Sequence, residues 1–157
     1  MKNKEIIDKF YSAFQNLDSK TMNSFLAEDV IFEDPAFGKL KGDEVKYMWQ
    51  FLCENAKDFK MEFSKITETR QGGTAHWEAY YTFSQTRNQV HNIIEANFEI
   101  KNGLIIKHTD DFDIKIWIKQ AMGSTLVLIG GSFLVKNVVR KKSNSILVSY
   151  IRKNALL

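Results

Sequence analysis

One carboxylate with a distinctive sequence position is Asp34. It follows the apolar run Val30-Ile31-Phe32 and directly precedes Pro35, the only proline of the chain. Because a residue before proline is held out of the helical region, we expect Asp34 to end a short strand. At the wall of an apolar pocket such a carboxylate can act as a general base. The alternative is a turn residue that only fixes the bend into Pro35.

A second group of candidates combines histidines with carboxylates. His76 and Glu78 are two residues apart, as are His108 and Asp110, so each pair shares one face of a predicted strand. If both faces point inward, a pocket would contain histidines beside carboxylates, which is an arrangement that carries protons near neutral pH. The alternation also permits the opposite register, which exposes His76 and Glu78. That register buries the intervening residues instead: Trp77, Ala79, Tyr81 and Phe83.

Hydrophobic periodicity indicates an α+β fold in which helices precede strands. Helices are predicted over about 3–17, from Asp18 or Ser19 to about 26, and from Asp43 to about Ala56. After residue 58 the spacing becomes two, which predicts four strands, at about 59–66, 74–85, 89–100 and 104–117. With a short strand at 30–32, we expect a curved antiparallel sheet packed with three N-terminal helices.

The composition is that of one compact domain with an unusual charge distribution. The chain has 157 residues, of which 44% are apolar and 26% charged, which is enough to bury a core. Cys53 is the only cysteine, so no intrachain disulfide can form and a cytoplasmic location is expected. Residues 1–113 carry 14 Lys+Arg and 19 Asp+Glu, whereas residues 114–157 carry 8 Lys+Arg and no acid. A basic segment after an acidic domain indicates a contact surface.

The basic segment has two parts, an apolar stretch from Leu126 to Val135 and a predicted helix over about 132–153. The stretch is interrupted by Gly130, Gly131 and Ser132 and is too short to cross a bilayer as a helix. Three interpretations remain open. The segment packs on the domain or on a dimer partner, it contacts an anionic membrane surface, or it binds nucleic acid. Nucleic acid ranks last because no recognition motif accompanies the cations.

Two segments resemble a known superfamily. Residues 25–35 (FLAEDVIFEDP) resemble the helix–strand–Asp-Pro segment of ketosteroid isomerases and of the wider SnoaL-like, nuclear-transport-factor-2-like superfamily. Residues 103–113 (GLIIKHTDDFD) are similar to its last strand, including that of the limonene epoxide hydrolases. Over about 3–117 the resemblance implies a cone-shaped α+β barrel with an apolar pocket, often dimeric. The tail looks like that of an uncharacterised bacterial branch, so we expect a pocket domain at 1–118 and an extension at 119–157.

The resemblance also implies roles for individual residues. Asp34 matches the general base of ketosteroid isomerases, but their oxyanion tyrosine falls on Phe10 and their second acid near Ala96, so steroid isomerisation is not expected. In the epoxide hydrolases an Arg-x-Asp pair acts with an acid of the last strand. His76-x-Glu78 resembles that pair and Asp110 that acid, which favours the inward register.

The sequence therefore predicts a pocket protein that performs isomerisation, cyclisation or water addition on an apolar small molecule. The alternative is a non-catalytic binding or accessory protein that docks to a membrane or partner through its tail. Candidate catalytic residues are His76, Glu78, Asp110 and Asp34, and candidate ligand-binding residues are Trp49, Tyr80, His108 and Phe112. No cofactor is expected, no metal-ligand spacing is present, and a homodimer is expected.

Overall fold

A computed structural model describes residues 1–124 and 132–155. This part of the chain forms an α+β fold in which two helices, a strand pair and a third helix precede four long strands and two further helices. The elements are α1 (Asn3–Gln15), α2 (Ser19–Ser24), β1 (Leu26–Asp34), β2 (Gly38–Lys41), α3 (Asp43–Asn55), β3 (Lys60–Thr69), β4 (Gly72–Thr82), β5 (Gln89–Lys101), β6 (Leu104–Asp111), α4 (Ile114–Met122) and α5 (Ser132–Asn154). The predicted fold class and the order of its main elements are confirmed.

The strands form one curved sheet in the order β2-β1-β6-β5-β4-β3. Neighbouring strands are antiparallel except for β1 and β6, which run parallel. The sheet is therefore mixed, where the sequence predicted an antiparallel one, and its edges do not close into a barrel. The parallel pair arises because α3 carries the chain away after β2, and the meander β3–β6 then returns beside β1. In that pair Phe32 lies opposite His108.

The last strand is shorter than predicted because a helix cap interrupts it. The Asp113 side chain accepts hydrogen bonds from the backbone N–H groups of Lys115 and Ile116, which is the typical way to start a helix. The segment around Trp117 is consequently helical and belongs to α4, where the alternation had predicted a strand to residue 117. Asp18 caps α2 in the same way, as expected, by accepting from the N–H of Thr21.

The core lies between the inner face of the sheet and helices α1 and α3. Phe10 and Phe14 of α1 contact Trp49 of α3 edge-on, and Phe14 also contacts Trp77 of β4. Such aromatic contacts bury large apolar areas and fix the distance between layers. The inner face of β4 is occupied by Ala75, Trp77 and Ala79, all of them buried.

The basic C-terminal helix packs on the rest of the protein. Leu147 and Val139 of α5 are buried, and the Arg140 Nε donates to the backbone oxygen of Pro35. The Tyr150 hydroxyl donates to Glu54 of α3. The predicted apolar stretch lies outside the described residues over 125–131. No helix in the described ranges is both long and apolar enough to cross a membrane.

Gly72, at the start of β4, is a position where any side chain would clash. A Cβ there would lie 1.8 Å from the carbonyl oxygen of Phe98 on β5. We expect Gly72→Ala to destabilise the protein by about 4 kcal/mol or more, because the backbones of two paired strands must separate. Gly103→Asn is the matched control, since nothing lies within 4 Å of its Cβ position and asparagine tolerates its positive φ of 79°. Equal urea midpoints for the two variants would contradict this packing.

Candidate active site

The candidate site is a cavity of about 240 Å³ between the inner face of the sheet and helices α3, α4 and α5. Its wall is mostly apolar and aromatic, and includes Phe14, Phe32, Met48, Trp49, Trp77, Ile94, Phe112, Trp117 and Val139. Trp49 and Phe112, both predicted ligand-binding residues, lie in this wall. A pocket of this composition suits a small apolar ligand that a few polar groups orient.

Asp34 is one of two carboxylates in this wall. It is the last residue of β1, and the N–H of Phe37 donates to its Oδ1 at 2.5 Å, which closes the turn through Pro35. Burial raises the pKa of the Asp34 carboxyl from its ordinary value near 3.8 to about 7, and the charge of Asp110 adds to the shift. Asp34 therefore closes the turn and also lies in the cavity wall. The two positions that the sequence left as alternatives are both correct.

Asp110, the second carboxylate, is fixed by buried partners. The Trp77 Nε1 donates to its Oδ1 at 3.3 Å, and the His108 Nε2 lies 2.8 Å from the same oxygen. His108 is fully buried between the rings of Phe98 and Trp49, which both stack on it. Because Nε2 must donate to the carboxylate, this imidazole orients Asp110. His108 lies behind Asp110 and does not line the cavity, in contrast to its predicted ligand-binding role.

Tyr81 adds a hydroxyl to the same cavity. Its oxygen accepts a hydrogen bond from the Trp117 Nε1 at 2.7 Å. Burial, and to a smaller extent the charge of Asp34, raises the pKa of Tyr81 to about 12, so the phenol stays protonated at neutral pH. Its proton has no acceptor among the residues that the structure describes, and the O–H is available to a ligand.

The structure places His76, Glu78 and Tyr80 on the outer face of the sheet, so the inward register favoured from the sequence is wrong. The residues that alternate with these three along β4 face the core or the cavity: Ala75, Trp77, Ala79 and Tyr81. The physical reason is that the Trp77 indole and its neighbours remove far more apolar surface from water than His76 and Glu78 would. The outward register, which the alternation also permitted, is the correct one.

On the outer face these side chains form a polar cluster of their own. The His76 Nδ1 lies 2.5 Å from a Glu95 oxygen, and its Nε2 lies 3.1 Å from Glu78. The second Glu78 oxygen lies 2.6 Å from the His91 Nε2, and Tyr80 stacks on that ring. Hydrogen bonds from both histidines lower the pKa of Glu78 to about 2, while those with Glu95 and Glu78 raise the pKa of His76. This cluster is separated from the cavity by the sheet.

Two features of the cavity have little or no signal in the sequence. The polar role of Tyr81 depends on Trp117, which lies 36 positions away and which the sequence alternation places in a strand. The contribution of α5 to the wall depends on how a tail packs, and its residues at the cavity carry no motif. In residues 1–124 and 132–155, no group of three or more His, Cys, Asp or Glu side chains could hold a metal ion.

Comparison with known proteins identifies the family. A model of the SnoaL-like domain matches residues 7–108, more than half of the chain. The chain belongs to the SnoaL-like domain family. The match includes Asp34 and most of the cavity wall, while Asp110, α4 and α5 follow the SnoaL-like match. A search of curated proteins finds no significant match to the sequence.

Solved structures show that the SnoaL-like domain shares its fold with proteins of several kinds. An LEH-like epoxide hydrolase of M. tuberculosis has a TM-score of 0.65 and 18% identity, covering 81% of this chain and 94% of that chain. A proposed polyketide cyclase of Pseudomonas putida KT2440 has a TM-score of 0.65 and 18% identity, covering 76% and 98%. An NTF2-like protein of Burkholderia pseudomallei K96243 has a TM-score of 0.67 and 18% identity, covering 78% and 99%. At these identities the similarity shows the fold.

The raised pKa of Asp34 predicts a specific pH dependence of stability. Between about pH 4 and pH 7 the unfolded chain has released the Asp34 proton while the folded chain keeps it. The contribution of Asp34 to the free energy of unfolding therefore falls as pH rises. We expect Asp34→Asn, whose amide keeps the shape without the charge, to stabilise the protein by on the order of 2–4 kcal/mol at about pH 8. At about pH 4 the effect should be close to zero. Urea unfolding at both values measures this, and an equal effect at both would contradict the burial of an ionisable Asp34.

Proposed function

We propose that this SnoaL-like protein is an acid–base enzyme that moves a proton next to a carbonyl group of an apolar substrate. The observation that carries the proposal is the position of Asp34 in an apolar cavity with the Tyr81 hydroxyl. A carboxylate in such a cavity is weakly solvated and becomes a stronger base. A phenol that stays protonated can donate to an oxygen that becomes negative.

In the proposed step Asp34 takes a proton from the carbon beside the carbonyl. The electron pair of the broken C–H bond forms a carbon–carbon double bond, and the carbonyl π electrons move to oxygen, where Tyr81 donates a hydrogen bond. Return of the proton from Asp34 to another carbon completes an isomerisation. Alternatively, the enolate carbon attacks a second carbonyl carbon of the same molecule and forms a ring. The π electrons of that second carbonyl move to its oxygen, which takes the proton from Asp34.

Asp110 supports this chemistry through its charge. Because a nearby negative charge disfavours the ionised form of a carboxyl group, Asp110 contributes to the raised pKa of Asp34. A base with a pKa of about 7 can both accept and return a proton near neutral pH. Trp77 and His108 keep Asp110 in position for this purpose.

Water addition to an epoxide is less well supported. The resemblance to the epoxide hydrolases implies that this reaction needs His76 and Glu78 together with Asp110. The first two lie on the opposite face of the sheet from Asp110, so the three residues do not meet in one site.

A second candidate function is docking to an anionic membrane through the tail, and one observation favours it. The first turns of α5 expose large apolar side chains, with Phe133 at 73%, Leu134 at 64% and Val138 at 65%. They occur in the segment 114–157, which carries 8 cations and no acid. Exposed apolar groups among cations suit the interface of an anionic bilayer.

The acid–base proposal predicts turnover of a simple probe, 3-cyclohexenone, to its conjugated isomer 2-cyclohexenone, followed by ultraviolet absorbance. We expect Asp34→Asn to lower the rate about 100-fold or more, because the base is lost. Tyr81→Phe should lower it about tenfold or more, because the oxygen loses its donor. The wild-type rate should rise with pH and level off above about 7.

Two variants outside the cavity serve as controls for that assay. Glu33→Gln changes the exposed carboxylate beside Asp34 on β1, and His76→Ala changes the outer face of the sheet. Both should keep the wild-type rate within about twofold. A wild-type rate no higher than that of acetate at the same pH, or an unchanged rate in Asp34→Asn, would overturn the proposal.

The membrane candidate predicts co-sedimentation with vesicles that contain phosphatidylglycerol, and little with pure phosphatidylcholine. The double variant Phe133→Ser, Leu134→Ser should lose most of this binding, because it removes apolar area that would enter the interface. Ile93→Ser is the matched control, since Ile93 is 52% exposed on the outer face of the sheet. Equal and negligible binding of the wild type to both vesicles would rule this function out.

A further inference from the structure

Two lysines from separate elements stand at the cavity. Lys142 lies on α5 beside the cavity-lining residues Ser143 and Ile146, and Lys57 lies in the connection between α3 and β3. The backbone oxygen of Lys57 accepts from the N–H of Thr82 at 3.0 Å, which fixes this connection to the end of β4. Both lysines are exposed residues, so each lies where the cavity wall meets solvent.

The cavity therefore has charges of opposite sign at different depths. Asp110 is only 4% exposed and Asp34 is half-buried, so both carboxylates lie deeper in the cavity wall than the exposed lysines. Within residues 1–124 and 132–155, neither Lys57 nor Lys142 forms an ion pair with a carboxylate, in contrast to Lys46, Lys60 and Lys107. An anion at the opening would meet two cations, whereas the same anion in the interior would meet two carboxylates.

We propose that the ligand is an apolar carboxylic acid whose carboxylate lies at the opening between Lys142 and Lys57. The chain of the ligand enters the apolar interior, because repulsion by Asp34 and Asp110 excludes the reverse orientation. A volume of about 240 Å³ takes about eight groups the size of a water molecule, which is the scale of a medium-length acyl chain. Combined with the proposed acid–base function, on which this last point rests, the substrate class is an apolar oxo acid with its carbonyl in the interior.

The test compares octanoate with octanamide, which has the same chain but no charge, by isothermal titration calorimetry. We expect the wild type to bind octanoate about tenfold more tightly. Lys142→Met and Lys57→Met should each weaken octanoate binding about three- to fivefold, the size expected for exposed ion pairs, and leave octanamide unchanged. Lys142→Arg should keep most of the preference, and added salt of about 1 M should reduce it.

The neighbouring Lys141 provides the matched control. It is also exposed on α5 but is absent from the cavity wall, so Lys141→Met makes the same change in net charge away from the site. This variant should keep the wild-type preference for octanoate. An equal loss in Lys141→Met and Lys142→Met, equal affinity of the wild type for both ligands, or no binding of either would overturn the proposal.

The proposed carboxylate site at Lys142 and Lys57, called the anion site, can fail independently of the acid–base function. The two failures give different results. Octanoate has no reactive carbonyl next to an abstractable carbon in the interior, so its binding does not depend on catalysis. If the preference for octanoate persists in both wild type and Asp34→Asn while cyclohexenone is not isomerised, the anion site stands and the acid–base function fails. If cyclohexenone is isomerised but octanoate is not preferred, the reverse holds.

Discussion

Asp34 and Asp110 place two carboxylates in a cavity whose wall is otherwise mostly apolar. Such a cavity solvates charge poorly, and the charge of Asp110 disfavours the ionised form of Asp34. Trp77 and His108 hold Asp110 in place by hydrogen bonds, and the N–H of Phe37 donates to Asp34. What remains is a carboxyl group with a pKa of about 7, which is the basis of the proposed chemistry.

The architecture around the carboxylates follows from which face of each strand is buried. β6 buries His108 and Asp110, while β4 buries Trp77 and leaves His76 outside. The parallel pairing of β1 with β6 brings the end of β1, and with it Asp34, beside the strand that carries Asp110. The helices then complete the cavity wall, including α5, which contributes Val139, Lys142 and Ile146.

Much of the fold could be predicted from the sequence, since helical spacing and strand alternation are local signals. The positions of Asp34, Asp110, Trp49 and Phe112 in the cavity also agree with the prediction. The face of β4 could not be read from alternation alone, because both sets of residues include aromatic side chains. Burial of Trp77 and its neighbours decides which face is inward, and that burial depends on packing against α1. The parallel β1–β6 pair and the packing of α5 likewise depend on contacts between distant segments.

The proposed proton transfer requires a raised pKa of the Asp34 carboxyl group. This pKa can be measured by following the side-chain carboxyl ¹³C shift of labelled protein with pH, and the resonance can be assigned by its absence in Asp34→Asn. We expect a midpoint at about 7, well above the ordinary aspartate value near 3.8. A midpoint at or below about 4 would show a well-solvated carboxylate and would contradict the assignment of Asp34 as the base.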